Sequence, residues 1–207
     1  MNSAIRWRIV SLQAVMVIVL AGAAAFAFYE GNFVTGYVKD QLTAQQISFP
    51  TTAALAADTR SSEYGSEFKS YAGQQITNGD QARVYANDYI AVHLKGIAGG
   101  LTYSTLGTKI SGLSAQLATM SKTDPGYATL QSQITTLNGQ RDTLFKGEML
   151  RGTLLNSWGW WTLGVYATYA GVGLLIAALG VLGALAFEVF VAARKPEPIK
   201  VTQKIAA

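Results

Sequence analysis

The feature that most constrains this chain is an apolar run from Trp158 to Ala193, WGWWTLGVYATYAGVGLLIAALGVLGALAFEVFVAA, broken by a single charge at Glu188. A run of that length reads as a membrane-spanning helix. At about 1.5 Å per residue, Trp160 to Ala193 would extend roughly 50 Å as a helix. The hydrocarbon layer needs only about 30 Å, so part of the helix must stand outside it. A carboxylate is costly at the bilayer centre, which places Glu188 near one interface, just ahead of Arg194 and Lys195. Counting back about 20 residues sets the opposite boundary near Tyr166 to Tyr169. Trp158, Trp160 and Trp161 then form an aromatic collar at or above the headgroups.

A second apolar span, Ile9 to Tyr29, follows a short basic head, residues 1–8, that carries Arg6 and Arg8. Its length suits one bilayer crossing, with Trp7 at the inner edge and Phe26, Phe28 and Tyr29 at the outer edge. The same stretch also reads as a signal peptide, since Ala25-Phe26-Ala27 is a small-x-small cleavage site. A signal core of about 7–15 residues is shorter than this span, which favours an uncleaved anchor. Either way residues 31–157 fall on the outer side. Cationic residues next to apolar spans mark the cytoplasmic face, so both termini, including the tail 194–207, are expected there.

The charge distribution excludes one large class of function. The chain carries a formal +4, but between Gly31 and Ser157 ten Lys/Arg face nine Asp/Glu. A nucleic-acid-binding domain would show a basic face on its folded part; here the excess sits in the tails, so no nucleic-acid partner is expected. With no cysteine, disulfides and thiolate metal sites are excluded.

Residues 30–157 read as one helical extracytoplasmic domain. Val34, Val38, Leu42 and Gln45 keep helical spacing beyond the first span, and Phe49-Pro50 ends that helix. Thr51 to Ser62 reads as a loop and Tyr64 to Gln75 as a short helix. Asn78-Gly79-Asp80 is a turn that caps a helix over Gln81 to Ile97, closed by Gly99-Gly100. The clearest pattern follows. Leu106, Ile110, Leu113, Leu117 and Met120 are spaced 4, 3, 4, 3; after a turn at Thr123-Asp124-Pro125-Gly126, Leu130, Ile134, Leu137, Arg141 and Leu144 repeat the seam. This predicts an αα-hairpin whose second arm runs on towards Trp158. The fold class is therefore all-α: two transmembrane helices, 9–29 and 158–193, joined by a helical domain.

Tyr85-Ala86-Asn87-Asp88-Tyr89-Ile90-Ala91-Val92-His93-Leu94 with Ala98-Gly99-Gly100-Leu101-Thr102-Tyr103, and Thr143-Leu144-Phe145-Lys146-Gly147-Glu148-Met149-Leu150-Arg151-Gly152 running into Trp158-Gly159-Trp160-Trp161, resemble uncharacterised two-helix membrane proteins of actinobacteria. The resemblance carries no activity and no catalytic residues. Some relatives bear the label of an aromatic-ring-opening dioxygenase. Such enzymes hold iron with histidines and a carboxylate, and this chain has one histidine.

That histidine, His93, falls on one helical stripe with Tyr85 and Tyr89 at i, i+4, i+8, a candidate face for a partner or a ligand. Asp88 lies about 140° round the helix from His93 and is no natural orienting partner. No GxSxG elbow is present, a structural zinc site needs about four Cys or His ligands, and Gly96 to Gly100 lacks the GK[ST] of a phosphate loop. The sequence therefore gives no catalytic residue, metal or cofactor. Glu148 and Arg151 are placed to pair at i, i+3. Ala170, Gly173, Ala177, Gly180 and Ala184, spaced 3, 4, 3, 4, form a small-residue stripe suited to close approach of another membrane helix. Its partner is either the first span, through Ala21, Gly22 and Ala25, or another subunit.

These features lead to a non-enzymatic integral membrane protein, a structural, accessory or interaction subunit of an envelope complex in contact with the bilayer and with other subunits or itself. The alternative is an extracytoplasmic sensor or envelope enzyme with a pocket lined by Tyr85, Tyr89, His93 and Tyr103.

Overall fold

The computed structural model describes residues 3–193; the expected tail 194–207, with Arg194 and Lys195, lies outside them. The chain divides into two compact units, one formed by residues up to Asn32 and from Val165 onwards, the other by Phe33–Gly164. Among the described residues there is no strand, only an isolated antiparallel bridge between Ser48 and Gln75.

Helix α1 spans Ser3–Ala44 and helix α7 spans Tyr127–Ala193. Both are long and apolar enough to cross a membrane. Residues 3–8, expected as a head, are already helical. In the first unit most large apolar side chains of the two helices are uncovered: Leu12 is 66% exposed, Ile18 72% and Ile176 65%. The buried positions are small ones, Ala24 on α1 and Ala178 on α7. Gly171 is buried too, and a Cβ there would sit 3.2 Å from the Phe28 ring. Arg6 and Glu188 form an ion pair at 3.8 Å.

This corrects the position of the seam between the spans. Ala170, Gly173, Ala177, Gly180 and Ala184 are all exposed, and a Cβ at Gly173 or Gly180 would meet nothing within 4 Å. Ala21, Gly22 and Ala25 are exposed as well. The covered positions lie one residue on, at Gly171, Leu174, Ala178, Val181 and Leu185, a rotation of about 100° around the helix. Leu and Val interleave with the small residues there, whereas the sequence reading sought small residues alone.

The second unit is built from short helices packed on the hairpin. Thr51 caps α2 (Thr52–Ala57), its Oγ1 accepting from the Ala54 amide at 3.2 Å. The expected loop over Thr51 to Ser62 thus contains a helix, because a good N-cap precedes an alanine-rich run. Helix α3 (Ser66–Ser70) is shorter than the expected 64–75. Asn78 caps α4 (Gly79–Val84) by accepting from the Gln81 amide at 2.9 Å. The chain then passes through a π-helical segment, Tyr85–Ile90, into α5 (Ala91–Lys95), so the single helix expected from Gln81 to Ile97 is interrupted. It ends where Ala98, Gly99 and Gly100 take φ of +53°, +65° and +81°. Glycine tolerates that region and alanine does not, so the turn is strained at Ala98 alone.

A reciprocal capping box between Thr102 and Thr105 starts α6 (Tyr103–Ala118). Asp124 accepts from the Ser121 amide at 2.6 Å in the turn, and Gly126 has φ +94°. The hairpin forms as the seam predicts. Leu106, Ile110, Leu130, Leu137 and Leu144 are buried, while Leu113, Leu117, Met120 and Ile134 nearer the turn are partly covered. The gradient arises because the short helices cover only the base of the hairpin. The core gathers Val38 and Leu42 of α1, Phe49, Leu55, Phe68, Ile76 and Val84, and the hairpin leucines. Gln81 is the one buried polar side chain named within it, and it is satisfied: its Oε1 accepts from the Thr77 amide at 2.8 Å and its Nε2 donates to Gln74 at 3.1 Å.

Candidate functional site

Tyr85 and Tyr89 leave the π segment on one side, and His93 follows from α5. Their rings touch in series: Tyr85 to Tyr89 at 4.9 Å and Tyr89 to His93 at 4.3 Å between centroids. The stripe read from the spacing therefore exists, but it is an inner one. Phe68, fully buried, stacks on Tyr89 at 5.6 Å with planes 7° apart. Phe49 meets Phe68 at 5.2 Å and Tyr85 edge-on at 5.3 Å. Tyr64 contacts Phe68 at 5.0 Å and lies nearly parallel to His93 at 6.2 Å. Offset and tilted contacts of this kind add roughly 0.5–1.5 kcal/mol each beyond the burial of the rings.

A polar rim closes one end of the stack. The Asp58 carboxylate accepts from the Tyr64 hydroxyl at 2.5 Å and from the Arg60 amide at 2.8 Å. Arg60 donates through Nη1 to the His93 carbonyl at 3.4 Å, and its guanidinium occupies the space a Cβ at Gly96 would need. These bonds shift two groups in opposite senses. The Tyr64 hydroxyl, then the Arg60 amide, stabilise the Asp58 anion and hold its carboxyl below the usual carboxylate range. Burial first, and then donation to Asp58, push the Tyr64 phenol well above its ordinary value. Burial, with a smaller contribution from Tyr89, pushes Tyr85 up to about 12. Both tyrosines stay protonated at neutral pH and offer no phenolate base.

His93 Nδ1 lies 2.9 Å from the Tyr89 carbonyl, which can only accept, so Nδ1 carries a proton. Neither acid serves the ring as an orienting partner: Asp58 is engaged by Tyr64 and Arg60, and Asp88 turns towards Gly65, where a Cβ would sit 3.0 Å from its Oδ2. Among the described residues, no three of His, Asp and Glu group as a metal site. Of the clefts described below, none is lined by Tyr85, Tyr89 or His93. The cluster is a packed stack that fixes α3, the π segment and α5 to one another.

Tyr103 does not join it. It sits at the start of α6 beside Phe145 of α7, ring centroids 5.8 Å apart. Arg141 lies over its face at 4.3 Å. A cleft of about 250 Å³ opens between Tyr103, Asn138, Arg141, Asp142 and Phe145. A neighbouring cleft of about 210 Å³ continues past Tyr103 to Lys95, Glu148 and Arg151. There the expected pair forms: Arg151 donates to Glu148 at 3.2 Å and also to Asn87 Oδ1 at 3.2 Å. A third cleft, about 350 Å³, lies between Phe33 and Tyr37 of α1 and Trp160 of α7.

No protein family matches this chain, and neither a curated protein nor a solved structure matches it.

The sequence reading placed three tryptophans in one collar. Trp160 is 53% exposed and Trp158 36%, but Trp161 is partly buried, packed so closely on Gly79 that a Cβ there would overlap it. The cation Arg141, recognised at first only as a member of the hairpin seam, is the residue whose role was missed. Its signal was a charge at a position where the repeat calls for leucine.

Proposed function

We propose that this is a non-enzymatic integral membrane protein whose second unit is an extracytoplasmic helical module, serving as a structural, accessory or interaction subunit of a membrane complex. The observation that carries the reading is the uncovered apolar surface of the first unit, from Leu12 and Ile18 on α1 to Ile176 and Phe187 on α7. Side chains of that size and number require a hydrocarbon solvent. The resemblance to two-helix membrane proteins of actinobacteria agrees with it.

Two further features support the subunit role. Tyr85, Tyr89 and His93 are used up in ring packing, so the stripe best suited to a reaction or a ligand holds the domain together. The small-residue stripe Ala170, Gly173, Ala177, Gly180 and Ala184 is exposed, which leaves it open to a helix of another subunit or a second copy. Phe33, Tyr37 and Trp160, exposed just beyond the two spans in sequence, suit the headgroup layer.

The test begins with topology. The chain has no cysteine, so Ser132→Cys and Thr202→Cys give clean single labels. A membrane-impermeant maleimide should modify Ser132→Cys in intact cells and reach Thr202→Cys only after permeabilisation; the reverse pattern overturns the orientation. The subunit role is tested by extracting the native membrane into polymer discs and weighing the particles. A protein mass no greater than one 22.1 kDa chain would overturn it.

A further inference from the structure

The second unit contains four arginines, and three of them are spent. Arg60 donates to the His93 carbonyl, Arg83 to both oxygens of Glu67 at 2.8 and 3.0 Å, and Arg151 to Glu148 and Asn87. Arg141 is different. Among the described residues it donates no hydrogen bond and forms no ion pair, and its Nε is buried without a partner. A guanidinium has five donors and is charged at every physiological pH. Partly burying one with all its donors idle is unfavourable, and it stands where the hairpin repeat would otherwise place a leucine. A local rule broken without compensation inside the chain is expected where a ligand supplies the compensation.

The surroundings hold this guanidinium in place. Tyr103 lies under its plane at 4.3 Å. On another side is the backbone at Gly107, where a Cβ would stand 3.2–3.3 Å from Nη2, Cζ and Nε. Nε and Nη2 therefore face Gly107, and Nη1 is the remaining edge towards the cleft of about 250 Å³. Phe145 supplies a second apolar wall, 5.8 Å from Tyr103. The nearby anion, Asp142, is already paired with Lys146 at 2.6 Å, so it does not neutralise Arg141.

We propose that the cleft between Arg141, Tyr103 and Phe145 binds a carboxylate carried on an aromatic or apolar group. A planar carboxylate suits a guanidinium held edge-on to the cleft, and the two rings accept the group that bears it. One free cation beside the Asp142 carboxylate favours a monoanion over a phosphate dianion. The same chemistry occurs in a small free acid and at the carboxyl end of a protein ending in an aromatic residue. The inference rests on the second unit alone and stands whether or not the membrane reading holds.

The test uses the full chain in a non-ionic detergent with carboxylate-free buffer, and two probes: 3-(4-fluorophenyl)propanoate followed by ¹⁹F NMR, and a short peptide ending in 4-fluorophenylalanine with a free carboxyl end. The acid should bind saturably, its own amide and the peptide amide should not, and Arg141→Gln should weaken binding about tenfold or more. Tyr103→Phe, which keeps a ring under the cation, should bind nearly as the native chain does. If Arg141→Gln loses its near-ultraviolet circular dichroism, Arg141→Lys is read instead; it keeps the charge but not the fork and should bind about tenfold more weakly. A peptide acid binding much more tightly than the small acid identifies a protein chain end as the source, and the reverse identifies a free acid. Equal binding to the native chain and the arginine variants, no binding of either acid, or displacement by equimolar inorganic phosphate would overturn the proposal.

Discussion

Phe68→Ala is the sharpest probe of what holds the second unit together. Phe68 has no exposed surface and lies on a helix of only five residues, too short to persist without packing. Its ring touches Phe49 at 5.2 Å, Tyr64 at 5.0 Å, Tyr85 at 6.4 Å and Tyr89 at 5.6 Å. Truncating a buried Phe to Ala costs about 3–5 kcal/mol, because transfer energy is lost and a cavity remains. Four ring partners lose their neighbour at once and cannot close in without breaking contacts among themselves, which puts the expectation near the top of that range. The assay is urea unfolding of the detergent-solubilised full chain, followed by near-ultraviolet circular dichroism, which reports the packed rings. For a slope of about 1–3 kcal/mol per molar urea, the midpoint should fall by roughly 2 M. Met149→Ala, at a side chain 56% exposed, should shift it by no more than about 0.5 kcal/mol equivalent. A shift for Phe68→Ala as small as that of Met149→Ala would refute the view that the stack is the keystone of the unit.

Two predictions concern other parts of the chain. In the first unit, a cysteine pair at Ala24 and Ala178 should cross-link within one chain; Gly171→Leu should abolish this by driving into Phe28, and Gly173→Leu should leave it unchanged, while the opposite ranking would restore the 170–184 stripe as the intramolecular seam. For Tyr85, the folded pKa of about 12 lies above the unfolded value. The stabilisation is therefore complete below about pH 10 and lost as pH rises through the folded value. Absorbance at 295 nm should show late-ionising phenol amplitude that diminishes in Tyr85→Phe, and a variant titration identical to the native one would remove Tyr85 from the protected set.

What the sequence disclosed depended on whether local pattern and tertiary packing agreed. The hairpin was legible because the 4, 3 spacing of Leu106 to Met120 and of Leu130 to Leu144 is both a local signal and the actual contact. The caps at Asn78 and Gly99-Gly100 were legible for the same reason. Helix α2 was missed because Thr51 to Ala57 is small and carries one buried side chain, Leu55, too little for any periodicity. The Tyr85, Tyr89, His93 stripe was found, but spacing alone does not say whether a polar-tipped aromatic face points inwards; Phe49, Tyr64 and Phe68, distant in sequence, decide that. In the first unit a 3, 4 repeat of small residues and the repeat one position along both satisfy helical periodicity, and only the depth of Gly171 and Ala178 separates them.

The π segment has a consequence for how this chain tolerates changes in length. Its signature is the Ala91 amide bonded to the Ala86 carbonyl, five residues back, where an α-helix would reach back four. The segment thus accommodates roughly one residue more than an α-helix would over the same rise. Deleting Asn87, an exposed residue, would let Gly79 to Lys95 close into one regular helix with better backbone bonds. It would also turn everything after the deletion by about 100° relative to what precedes it. Val92 and Leu94 would leave the core, and His93 would leave Tyr64. A one-residue deletion at the surface would thus improve the helix and unseat the domain, whereas the same deletion near the hairpin turn, at Lys122, alters only a loop.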